Sequence, residues 1–146
     1  MKTEINHKWF YSQTPEEIWM YLTETELIAQ WIMPNDFKLL LGHHFTFRTN
    51  PIPSLNLDGI FHCKILEIVL FKKLVYSWKG GPGNDETIFE TIVEWTLEKK
   101  DNGTELHLLH TGFKEENVSI LTGMTEGWLK KMEKVENLLN ENNVTA

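Results

Sequence analysis

The alternation of apolar and polar positions changes period several times along this chain. Glu4 to Phe10 reads as a strand. At Thr14-Pro15-Glu16-Glu17 the pattern predicts a helix start. Thr14 caps, Pro15 takes the first helical position, where a missing N–H costs nothing, and Glu17 completes a capping box. Ile18, Tyr21 and Leu22 then form a short apolar stripe. A second box, Thr23 to Glu26, predicts another short helix with Leu27, Ile28 and Trp31 on one side, and Pro34 ends it.

From Phe37 the period becomes two. Phe37 to Leu41 reads as a strand, Gly42 as a turn, and Phe45 and Phe47 share one face of the next strand. Pro51 and Pro53 mark a loop. A long strand is predicted around Ile60 to Ile68, with a turn at Lys72-Lys73. Beyond it, Leu74, Tyr76 and Trp78 alternate with Val75, Ser77 and Lys79. The Gly80 to Asp85 stretch is a loop. Phe89, Thr91, Val93, Trp95 and Leu97 share a face. Asp101-Asn102-Gly103 signals a hairpin turn, and Leu106, Leu108 and His110 share the face of the last strand.

The final segment returns to helical spacing: Leu121, Met124, Trp128, Met132, Val135 and Leu139 recur at steps of three or four. Gly123 and Gly127 lower helix propensity near its start. Glu126, Lys130, Lys131 and Lys134 form the opposite, solvated face. The polar tail from Asn140 to Ala146 is expected to fray. Strands and helices are thus segregated along the chain. That order predicts an α+β fold in which one long helix covers an antiparallel sheet. No repeat or linker interrupts it, so residues 1–146 are read as a single domain.

Composition narrows the partners. The chain is 41% hydrophobic and 24% charged, as a globular domain is, with a formal net charge of -7. Nucleic acid and anionic membranes require clustered Lys and Arg. The densest basic stretch, Lys130-Lys131, is diluted by Glu133 and Glu136, so neither partner is expected. Cys63 is the single cysteine, which excludes an internal disulfide. Met1 to Phe10 has no apolar signal core, and no run approaches the ~20 apolar residues of a membrane span. A cytoplasmic location is therefore expected. Aromatic residues make up 12%, with six Trp, enough to fill a core or to line a cavity.

Several fragments, taken in order, carry a family resemblance: Pro15-x-x-x-Trp19, Trp31 to Phe37, Gly42-x-x-Phe45, Leu74 to Trp78, Gly103-Thr104-x-Leu106, His110 to Phe113, and Gly127-Trp128. The chain resembles the START-like, helix-grip superfamily, and within it the bacterial branch named for homology to the activator of the large heat-shock ATPase. The resemblance implies a curved sheet of six to seven antiparallel strands wrapped around the C-terminal helix, two short helices after the first strand, and a cavity between sheet and helix. Superfamily members bind sterols, lipids, polyketides, flavonoids and plant hormones, and a few are cyclases or other enzymes. Three features depart from the usual pattern. Cys63 stands where many relatives have Gly, Leu70-Phe71 replaces a frequent Pro-Pro turn, and an insertion from Pro51 to Asn56 lengthens one loop.

Few residues invite catalysis. His43 and His44 are adjacent on a strand and point to opposite faces, so they do not share a metal ion. Neither a metal site nor a cofactor is expected. His110 is an inward polar group at the end of an apolar face. It either hydrogen-bonds a ligand or acts as a base, or it is a satisfied structural histidine fixing the Gly112 turn. Cys63 has no base partner identifiable in the sequence. Glu90, Glu94 and Glu98 fall on a solvated sheet face. Tyr76 and Trp78 either present polar tips into a cavity or fill the core, and Met33, Met124 and Met132 suit an adaptable apolar pocket.

The expected function is binding of a small apolar, ring-containing molecule by a carrier or sensor with no catalytic residues. The helices contribute Trp31, Met124, Trp128 and Met132 to the expected lining, with Val93 near the middle of the space. The sheet adds Phe47, Tyr76, Trp78, Phe89, Trp95, Leu108 and His110. Two alternatives differ in class. One is a cyclase- or hydrolase-like enzyme using His110 and Tyr76. The other is a module acting on a chaperone ATPase. Relatives named as activators often carry a second domain for that docking, so stimulation of a heat-shock ATPase is not expected of this single domain. A monomer or weak dimer is expected.

Overall fold

Thr14 sets the first turn of the protein in place. Its hydroxyl accepts from the Glu17 amide while the Glu17 carboxylate accepts from the Thr14 amide, so two otherwise orphaned helix donors are satisfied reciprocally. The structure, a computed structural model, describes residues 3–144, with side chains to residue 141. β1 spans Glu4–Tyr11, and the capped helix α1 spans Pro15–Thr23. α2 (Thr25–Trp31) follows almost without a break. The second capping box does not form. Glu24 takes the cap position without a side-chain bond. The Thr23 hydroxyl instead donates to the carbonyl of Trp19, and that of Thr25 to the carbonyl of Phe37. Hydroxyls so placed serve the preceding turn or a distant loop, and the box loses its donor and acceptor.

The remaining strands are β2 (His44–Arg48), β3 (Ile60–Val69), β4 (Lys73–Gly80), β5 (Phe89–Lys100) and β6 (Gly103–Thr111). They form one six-stranded antiparallel sheet in the order β1-β6-β5-β4-β3-β2, and it is curved. The expected strand from Phe37 to Leu41 is absent. Leu39, Leu40 and Leu41 are exposed and pair with no ladder. Phe37 alone is buried, held by its amide on the Asn35 side chain and its carbonyl on Thr25. A single apolar anchor with side-chain bonds on both backbone groups is a loop, whatever its alternation suggests. The turn after β3 is Leu70 to Lys72, with Phe71 in the left-handed region at φ 63°.

The expected phases hold in the long strands. Phe89, Thr91, Val93, Trp95 and Leu97 are buried on one face of β5, and Thr104, Leu106, Leu108 and His110 on the same face of β6. Glu90 and Glu98 lie exposed on the other face, where Lys73 bridges Glu67 and Glu94 at 3.2 and 3.8 Å. Such solvated pairs add little, ~0–1 kcal/mol each.

α3 (Val118–Val144) lies across the buried face. Trp128, Met132, Val135 and Leu139 are buried against it, while Met124 is half-buried. The Tyr11 hydroxyl ties β1 to this helix by donating to the Met132 carbonyl at 2.7 Å. α3 is helical through Val144, so the fraying expected from Asn140 does not begin there. Thr145 and Ala146 lie outside the described residues.

Candidate functional site

Beneath the middle of α3 the aromatic side chains fill the space between helix and sheet. Trp95 packs edge-on against Trp31 and Trp128, with ring centroids 5.6 and 5.3 Å apart, and Trp78 meets Trp128 at 5.6 Å. Phe47 stacks on Trp78 at 4.8 Å. Tyr76 receives the Trp95 indole N–H at 3.0 Å, and burial pushes its phenol well above the ordinary tyrosine range. Val93 and Leu108 are fully buried among these rings.

His110 is built into this packing from both ring nitrogens. The Trp128 indole N–H donates to Nδ1 at 3.1 Å, so Nδ1 is the acceptor and Nε2 carries the proton. Nε2 lies 2.7 Å from the Thr91 hydroxyl, which donates onward to the Trp78 carbonyl at 2.8 Å. The chain of donors runs in one direction and fixes the neutral tautomer. Burial pushes the His110 pKa down to about 3. The satisfied structural role therefore describes the ring, and neither nitrogen is left for a substrate. The Cys63 thiol is also buried, and burial raises it well above the ordinary thiol range. Among the described residues no cluster of His, Cys, Asp or Glu is arranged to hold a metal ion.

Open space lies to one side of this packed centre. A pocket of about 370 Å³, open to solvent, sits between the first turns of α3, the β3–β4 part of the sheet, and the loop that joins β2 to β3. Three of the expected lining residues, Trp78, Met124 and Trp128, are on its wall. The other nine are buried in the packed core and are not on this wall: Trp31, Phe47, Tyr76, Phe89, Val93, Trp95, Leu108, His110 and Met132.

The rest of the wall comes from residues that inward strand phase does not flag. Ile52, Leu55 and Leu57 arrive on the loop containing the two-proline insertion. That loop is folded: Pro53–Leu55 makes one 3-10 turn, Asn56 takes a left-handed conformation at φ 58°, and Ile52 and Leu57 exchange backbone hydrogen bonds. Its apolar side chains are thereby turned towards α3. Ile32 and Met33 close the wall at the exit of α2.

On α3 itself the wall is interrupted by Gly123 and Gly127. A Cβ added at Gly123 would meet nothing within 4 Å, and at Gly127 only the Lys131 ammonium, 3.9 Å away. A glycine in a helix interior costs roughly 0.5–1 kcal/mol relative to alanine. Two of them one turn apart leave a notch in the helix surface, which is where the pocket lies. The spacing of four was visible in the sequence as a loss of helix propensity, and it was the available signal for the site.

Thr49 on the wall is exposed, and Trp78 and Lys131 each carry an unpaired donor. The Trp78 indole N–H is buried and has no hydrogen-bond partner among the described residues. The Lys131 ammonium has no ion pair or hydrogen bond among them. Burial, with Lys134 nearby, holds its pKa below the usual lysine range.

These features define the class. A curved antiparallel sheet gripping a long C-terminal helix, with an apolar pocket beside that helix, is the START-like, helix-grip architecture. The family described as activator of Hsp90 ATPase homolog 1-like protein matches residues 12–140, and the chain belongs to it. Among solved structures it is similar to protein MLL2253 of Mesorhizobium loti. Their identity is 29%, with 94% of this chain and 97% of that one covered and a TM-score of 0.84. The Aha1 dimer of Colwellia psychrerythraea shares the fold, at 19% identity and a TM-score of 0.73 over 93% of this chain and 95% of that one. So does protein BH1534 of Bacillus halodurans, at 23% identity and a TM-score of 0.74 over 92% and 94%. No curated protein matches the sequence. Among the described residues no helix is long and apolar enough to cross a membrane.

Proposed function

We propose that this protein binds a small, largely apolar molecule in the pocket beside α3, as a carrier or sensor working in the cytoplasm as a monomer or weak dimer. One observation carries the reading. The pocket wall is almost wholly apolar, and two adjacent-turn glycines hold it open at a cost in helix stability. Its volume falls at the lower end of the ~300–1,000 Å³ usual for small-molecule sites, which suits a compact body of one or two rings or a medium chain. The family's helix-grip architecture supports the same use. The reading places no catalytic group on the wall, since His110 and Tyr76 are engaged in the packed core.

Filling the notch tests the proposal. Gly127→Leu restores helix propensity, so the melting temperature should hold or rise, by an amount corresponding to ~1 kcal/mol. The same side chain occupies the pocket. Quenching of tryptophan fluorescence by a neutral, apolar aromatic probe such as N-phenyl-1-naphthylamine should therefore be lost. Unchanged probe binding in a well-folded Gly127→Leu variant would remove the pocket from consideration.

A further inference from the structure

The one charged group on this wall, the Lys131 ammonium, is a pure donor. An ammonium offers protons and accepts none. The wall holds no carboxylate.

Lys131 is set apart from its neighbours on α3. Lys130 and Lys134 are exposed, whereas Lys131 is half-buried and lines the pocket. Helical side chains lean towards the N-terminus of their helix, over the preceding turn. The residue one turn back is Gly127, and with no side chain there the ammonium settles 3.9 Å from the position its Cβ would occupy. The charge is thus carried back along the wall. The formal balance of the chain, 21 Asp and Glu against 14 Lys and Arg, supplies acidic residues in excess, yet none pairs with this one among the described residues.

Resting on the proposed pocket function, we infer that the pocket's ligand is a largely apolar carboxylic acid. Its carboxylate pairs with Lys131. An apolar base or a neutral hydrocarbon would leave the ammonium unmet, and the base would add like-charge repulsion.

The test compares one ligand body with and without its charge, by calorimetric titration of the full-length protein. The probes are 4-oxo-4-phenylbutanoate and its methyl ester, with dodecanoate and methyl dodecanoate as a chain-bodied pair. The acid of at least one pair should bind at least tenfold tighter than its ester, and the tighter acid identifies a ring or a chain body. In Lys131→Gln that ratio should collapse to within about twofold, and in Lys131→Arg it should persist. Acid and ester binding alike in the wild type would overturn the head-group assignment while leaving the apolar pocket standing. Binding of none of the probes, with no change on filling Gly127, would overturn both.

Discussion

His110 shows how one side chain comes to be decided by its neighbours. Inward phase made it a candidate base, but the Trp128 and Thr91 contacts and a pKa near 3 keep it neutral in the fold. In the unfolded chain it titrates near ~6.5. The folded value is depressed, so its contribution is fully present above about pH 6.5 and is lost as the pH falls towards 3. The loss amounts to ~1.4 kcal/mol per pH unit, or about 2 kcal/mol at pH 5. Chemical denaturation at pH 7 and pH 5 should show a steeper decline for wild type than for His110→Gln; parallel declines would mean the ring is not buried as described. Trp128, 3% exposed and packed on four other tryptophan or histidine rings, should cost ~3–5 kcal/mol when replaced by Ala. Val93 separates packed core from cavity: it is fully buried off the pocket wall, so Val93→Phe should lose ~1–3 kcal/mol by overpacking, and a melting temperature that rises would place open space there.

At the level of elements, periodicity reported the sheet well and the site poorly. Strands β3 to β6 were legible because one face is buried and alternation then has only one workable register. Phe37 to Leu41 misled because alternation does not say whether a partner strand exists. Phase also named the inward residues Phe47, Tyr76 and Trp95, but inward is not the same as lining a void. A void is made by what is missing, as at Gly123 and Gly127, and by the course of a loop whose own hydrogen bonds turn Ile52, Leu55 and Leu57 to α3. Neither follows from hydrophobic period. The loop therefore belongs to the site. Leu55 is half-buried on the pocket wall and packs against the edge of the core. Leu55→Asp should weaken binding of neutral N-phenyl-1-naphthylamine at least tenfold, with about 1 kcal/mol lost in stability, the usual size for a point substitution. Equal losses in both measurements would make the loop a structural brace only.

For the molecule as a whole, the order of elements along the chain was enough to name the architecture, because segregated strands and helices leave one way to cover a sheet with one long helix. The pairing of β1 with β6 was not legible that way; it joins the first strand to the last, with β1 at the edge. Asn6 and His107, 101 residues apart, share a 2.6 Å hydrogen bond across it. That closure has a consequence in time. Ribosomes add ~5–20 residues per second, so β1 waits about 5–20 s before β6 is made. Over that interval β1 has no partner strand, and its apolar Ile5, Trp9 and Tyr11 have no sheet to pack in. Refolding from denaturant faces the same long-range closure and should sit in the ~millisecond-to-second range of sheet-rich domains, with local helices forming well before it.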